Sequence, residues 1–254
     1  ASASEIIAFH WMAGFEHPPL WQLLAHFWSM LAGQSEYALR FLPALAGILI
    51  IPLLWQFTRQ LYPHSPAVAH VGAAFAALAP ILVYYSQDAR MYTIVLVLAL
   101  GSMLVMVQLA KRPSWRTALL LSLLNAVMTG FHYYAALLLV AEGIFFLLTL
   151  TVSPAVRRQW VKWVTALALS ALPLLTWMAF SPGFHMTLRS VLENANVEGG
   201  SLGRFVDELW RDLTFAAIRW QPDWSWIGYL LLPLLLVGLY EALWRQRRDV
   251  ATRL

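Results

Sequence analysis

Residues 91–110, MYTIVLVLALGSMLVMVQLA, decide the fold class. The stretch holds no charged side chain and has the ~20 residues a helix needs to cross ~30 Å of hydrocarbon. It is bounded by polar segments of different kinds. Upstream lies Tyr84-Tyr85-Ser86-Gln87-Asp88-Ala89-Arg90, and downstream Lys111-Arg112. Working outward, similar apolar runs recur at about 38–60, 66–85, 116–131, 133–151, 160–180 and 224–244. The expected fold is all-α: a polytopic transmembrane helical bundle of about seven spans, with amphipathic interfacial helices on its outer face. The pair 116–131 and 133–151 reads either as two short helices meeting at His132 or as one long kinked element.

Composition agrees. The chain is 60% hydrophobic and 12% charged, against roughly 25% charged in soluble domains. The formal net charge of +4 does not indicate nucleic acid, because the basic residues cluster in short gaps between apolar runs. Such clustering is a topology signal. Arg59 and His64, then Lys111, Arg112 and Arg116, then Arg157, Arg158 and Lys162, then Arg245, Arg247, Arg248 and Arg253 all fall on one side if seven spans are counted. That side is cytoplasmic by the positive-inside rule, and the expected location is the inner (plasma) membrane, crossed several times. The chain has no Cys, so it has neither disulfides nor thiolate metal ligands.

The other side then holds residues 5–36, the Tyr84–Tyr92 turn, the Phe131–Tyr134 turn and the long loop 181–223. Residues 1–36 are expected to form an outer-face loop and an interfacial helix, and 37–180 the transmembrane bundle. Residues 181–223 form an outer loop with an amphipathic helix at 201–220, either a cover on the bundle or a substrate lid. The polar, Gly-rich stretch 193–200 before that helix is expected to be mobile. Residues 224–254 supply the last span and a basic cytoplasmic tail. In Gly14-Phe15-Glu16-His17-Pro18-Pro19-Leu20-Trp21, two prolines fix φ and hold Glu16 and His17 on an extended turn. Residues 20–32 follow. Gln22, His26 and Ser29 form a polar stripe opposite Leu23, Leu24, Phe27, Met30 and Leu31, the pattern of a helix lying in the interface. Ser35 is a plausible N-cap for the next helix.

The unusual polar groups of the chain collect on the outer side. Asp88 and Arg90 read either as a solvated turn or as a working pair. In the second case Arg90 is a fixed cation for a phosphate oxygen, and Asp88 orients Arg90 or a substrate hydroxyl. Glu142 is different in kind, because it lies inside an apolar run and must face the bundle interior. Asn125 and Gln108 are its candidate hydrogen-bond partners, and a proton relay is the sharper alternative. The histidines show no metal-ligand spacing, so neither metal nor cofactor is expected.

Four segments in order carry a family resemblance: Glu16-His17-Pro18-Pro19-Leu20, the run from Ser35 to Leu45 (SEYALRFLPAL), the run from Tyr84 to Tyr92 (YYSQDARMY), and Thr129-Gly130-Phe131-His132-Tyr133-Tyr134. Together they resemble the GT-C membrane glycosyltransferases, most closely the bacterial branch related to protein O-mannosyltransferases and lipid A aminoarabinose transferases. The resemblance covers about residues 5–150. It implies inverting transfer of a sugar from a polyprenyl-phosphate donor to a lipid, glycan or protein acceptor at the outer face of the membrane, with a carboxylate as general base. On that basis Glu16 and Asp88 are the catalytic candidates. His17, Arg90, Tyr85, Tyr92, His132 and Tyr133 are the substrate-binding candidates.

The family's usual acidic pair, placed after a first transmembrane helix, has no counterpart here. The expectation is that it lies upstream of Ala1. Otherwise Glu16 or Glu5 takes its role, or the chain is inactive. Two rival readings are a transporter or flippase for a lipid-linked saccharide and a non-catalytic membrane scaffold.

Overall fold

The structure, a computed structural model, describes residues 2–13, 17–186 and 188–190. Glu16, the stretch 193–200, the expected helix at 201–220 and the span at 224–244 lie outside the described residues. Those described form helices joined by short turns: α1 (Ala3–Met12), α2 (Leu20–Ala32), α3 (Glu36–Leu61), α4 (Pro66–Leu78), α5 (Pro80–Gln87), α6 (Tyr92–Lys111), α7 (Trp115–Phe131), a 3-10 turn (Tyr133–Ala135), α8 (Ala136–Val152), α9 (Pro154–Arg158) and α10 (Trp160–Phe180).

The helix starts follow local chemistry. Ser2 caps α1 through a capping box: Glu5 N donates to Ser2 Oγ at 3.3 Å, and Ser2 N donates to Glu5 Oε2 at 2.7 Å. The expected cap at Ser35 is present, with Ala38 N donating to its Oγ at 3.2 Å. Ser114 and Thr117 close a second box at α7. Pro66, Pro80 and Pro154 each open a helix in its first turn, where a missing N–H costs nothing.

Four stretches are long and apolar enough to cross a membrane: Glu36–Leu61, Tyr92–Lys111, Tyr133–Val152 and Trp160–Phe180. The single span expected at 66–85 is instead two helices bent by 50°, together apolar enough to make a fifth. The cause is local. Pro80 cannot donate to the helix before it and pushes Ala79 into extended backbone (φ −62°, ψ 116°). Helix α7 has 17 residues, a turn short of typical bilayer length. It nevertheless packs between α6 and α10, both long enough to span. The junction at His132 separates α7 from the turn into α8, so the doubtful pair is two helices.

Much of α3, α8 and α10 remains uncovered by the other described residues. Ile48 on α3 is 64% exposed, Leu147 on α8 60% and Leu175 on α10 57%. Apolar side chains in such number on the outside of a bundle need lipid around them. Inside, one core joins α6, α7, α8, α9 and α10 at the basic end, through Leu109, Leu121, Phe146, Val156 and Trp163. A second core joins Ile50, Ala76 and Leu100. Helix α5 approaches α3 so closely that a Cβ on Gly47 would stand 2.6 Å from Ser86 Cβ. Thr93 Oγ1 donates to Pro43 O at 2.9 Å, tying α6 to α3 beside a proline.

The two ends of the bundle differ. At one, Arg59 Nη1 donates to Pro63 O at 3.0 Å and Lys162 Nζ to Pro113 O at 3.2 Å. The other end gathers α2, the α5–α6 turn, the α7–α8 turn and the end of α10. There Trp11 meets Trp177 edge to face at 5.2 Å, and Ser181 Oγ donates to Trp11 O at 3.1 Å. The described parts of the segments expected on the outer side therefore share one end.

Candidate functional site

The site forms where α7 stops. His132 takes extended backbone (φ −154°, ψ 131°) and ends the helix, and its Nδ1 accepts from Tyr134 N–H at 3.1 Å. That bond leaves the imidazole proton on Nε2, which becomes a donor. The ring packs against His17 (centroids 4.5 Å apart), Tyr134 (5.1 Å) and Tyr92 (6.0 Å). Burial, and after it the neighbouring charge of His17, push the pKa of His132 down to about 4. At neutral pH it is an uncharged donor.

The aromatic surface continues. Tyr92 opens α6 and lies 4.7 Å from Tyr85, which in turn meets Tyr84 at 5.2 Å. Asp88 and Arg90 occupy the turn between Tyr85 and Tyr92. Asp88 ends α5 in extended backbone (φ −87°, ψ 133°), and Arg90 N donates to Asp88 O at 2.8 Å. The side chains of Asp88 and Arg90 form no ion pair with each other. The Asp88 carboxylate has no hydrogen-bond or ion-pair partner among the described residues.

Of the residues singled out from the sequence, His17, Tyr85, Tyr92 and His132 form one chain of rings, with Asp88 and Arg90 in the turn that joins two of them. Tyr133 turns the other way. Its OH accepts from Trp177 Nε1 at 3.0 Å, and its ring meets Phe184 at 5.3 Å. The 3-10 turn rotates consecutive side chains by about a third of a circle, so His132 faces α2 and α6 while Tyr133 faces α10. Glu5 is engaged in its own helix cap, and its backbone bond to Ser2 holds its pKa below the usual carboxylate value.

A cavity of about 210 Å³ lies beside these rings, lined by Pro18, Pro19, Leu20, Thr129, Gly130 and Trp177, with Leu23, Pro173 and Leu174 completing it. Nearly all of that lining is apolar. Its nearness to the rings follows from chain order, since Pro18 succeeds His17 and Gly130 precedes His132 by two residues. Gly130 permits the approach of α2: a Cβ there would stand 3.0 Å from Leu20 Cδ2. Sequence reading missed this cavity. Its lining comes from three distant segments, and only the small Gly130 and Pro173, a proline inside α10, hinted at room between helices. Among the described residues, no group of three or more His, Asp or Glu side chains is placed to hold a metal ion.

A bundle of apolar helices with a polar-aromatic candidate site at one end, and an apolar cavity beside it, defines a membrane protein. The sequence matches the model of the dolichyl-phosphate-mannose-protein mannosyltransferase family over residues 16–177, from the proline turn to Trp177. The chain belongs to that family and is a membrane glycosyltransferase of the GT-C type. No curated protein and no solved structure matches it.

Proposed function

We propose that the chain moves a sugar from a polyprenyl-phosphate donor to a hydroxyl of a lipid, glycan or protein acceptor, at the outer face of the plasma (inner) membrane, which it crosses several times. The observation that carries this reading is the junction of two unlike surfaces. The rings of His17, His132, Tyr92 and Tyr85 adjoin a cavity lined by apolar side chains. A lipid-linked sugar has the same two-part character. Its isoprenoid suits the cavity, while its sugar and phosphate suit rings and polar donors.

The chemistry is a single displacement. The acceptor oxygen attacks the anomeric carbon, the bond from that carbon to the phosphate oxygen breaks, and polyprenyl phosphate leaves with the electron pair. Attack from the face opposite the leaving group inverts the anomeric centre. A carboxylate, Asp88 or Glu16, takes the acceptor's proton. Arg90 and the Nε2–H of His132 meet the charge that develops on the departing phosphate. Tyr85 and Tyr92 offer faces for the sugar, and Tyr133, bonded to Trp177, holds the wall between rings and cavity.

The test is reconstitution of the full chain in liposomes containing polyprenyl-phosphate [14C]mannose and a membrane acceptor extract. Label leaving the donor with inverted configuration supports the reading. Label that stays on the donor under all acceptor conditions contradicts it.

A further inference from the structure

We propose that the buried cluster of Asn125, Glu142 and Ser170 is a binding site for one small monocation, a sodium ion or a proton. The cluster joins three helices deep in the bundle, away from the rings described above. Asn125 on α7 is 0% exposed, Glu142 on α8 1% and Ser170 on α10 0%. Asn125 Nδ2 donates to Glu142 Oε2 at 2.5 Å and to Ser170 Oγ at 3.3 Å. Both amide protons are thereby used.

What remains is one-sided. Asn125 Oδ1 and Glu142 Oε1 are both buried without a hydrogen-bond partner, and both are acceptors. Ser170 Oγ donates away, to Ala166 O at 2.7 Å. Ser102 on α6, the other polar group acting on the carboxyl, donates to Ala99 O at 2.9 Å. The groups that α6 and α7 turn toward Glu142 are thus a serine and an amide, and α10 reaches the cluster through Ser170 on that amide. Among the described residues no lysine, arginine or histidine pairs with it.

A bundle interior tolerates a carboxylate only when its charge is matched and its oxygens are satisfied. A water molecule would supply protons to both oxygens but no charge. A monocation supplies the charge and engages the oxygens directly, a sodium ion by coordinating them and a proton by bridging Glu142 Oε1 and Asn125 Oδ1. The single formal charge, and the lack of a second acid or any histidine beside it, fit a monovalent guest rather than a divalent one. The oxygen-only donor set selects a hard cation.

The deciding variant is Glu142→Gln. Its amide oxygen still accepts from Asn125 Nδ2, and its new N–H donates to Asn125 Oδ1, so both unfilled acceptors are satisfied without charge. Thermal unfolding of the purified full chain is followed in sodium chloride and in choline chloride of equal ionic strength, between pH 7 and 10. For a sodium ion, wild-type protein is more stable in sodium than in choline by several degrees. For a proton, sodium has no effect, and wild-type stability in choline falls as pH rises. In either case Glu142→Gln loses the dependence. Identical sodium and pH responses in wild type and Glu142→Gln overturn the proposal. If Glu142→Gln does not fold, Asn125→Ala replaces it. Removal of Oδ1 is expected to move the sodium or pH midpoint by at least about threefold in concentration, and an unmoved midpoint overturns the proposal.

Discussion

His17 and His132 lie ring against ring, centroids 4.5 Å apart, although one precedes the first spanning helix and the other ends α7. The contact brings the proline turn and the α7–α8 turn together beside Tyr92. It also explains why His132 resists protonation, since burial comes first and a charged neighbour adds to it.

A pH dependence follows. The folded-state pKa of His132 is about 4, below its ordinary value of 6.5. Between those values the unfolded chain binds more protons than the folded one. Stability therefore rises with pH across that window and is flat with respect to this group above it. Thermal unfolding between pH 4 and 7 is expected to show the slope in wild type and a weaker slope in His132→Gln. Equal slopes would remove the burial argument.

In the proposed reaction the Arg90 guanidinium meets the phosphate. Arg90→Ala is expected to lower transfer from a polyprenyl-phosphate sugar by about 100-fold or more, the scale on which removing one stabilising donor acts, while membrane insertion is unchanged. Arg90→Lys is expected to recover part of it, because a lysine keeps the charge but loses the planar fork. Full activity in Arg90→Ala would end the phosphate role.

The cavity offers a test of substrate form. Leu174→Trp is expected to fill space between α10 and α2. It should raise KM for a long-chain donor more than for a short-chain, water-soluble analogue. Equal effects on both donors would mean that the isoprenoid binds elsewhere.

Helix packing at the α3–α5 contact is tight enough to measure. Gly47→Ala places a methyl 2.6 Å from Ser86 Cβ and is expected to destabilise the protein by about 1–3 kcal/mol, the usual cost of overpacking. Ser86→Gly on that background should recover part of the loss. Chemical or thermal unfolding of the two variants reads both effects.

Much of the bundle was legible because bilayer-length apolar runs are a local signal. The run at 91–110 became Tyr92–Lys111, and the segment 20–32, expected to lie in the interface, became the helix Leu20–Ala32. The break at Ala79–Pro80 was written in the sequence but was absorbed into one span, since hydropathy averages across a proline. Glu142 was readable as a bundle-facing acid, and of its two candidate partners Asn125 is the one that forms while Gln108 is exposed. The cavity and the separation of His132 from Tyr133 were not readable. Both depend on where distant helices place adjacent residues, and on the rotation of a single 3-10 turn.

The most direct measurement of the central claim is transfer by Asp88→Asn in liposomes carrying polyprenyl-phosphate [14C]mannose, with Glu16→Gln and the double variant alongside wild type. With a carboxylate as base at this membrane face, wild type yields the inverted product. At least one single variant should then lose about 100-fold or more in rate with donor binding retained, and the double variant should be inactive. Wild-type activity in the double variant, or a product of retained configuration, would contradict the account.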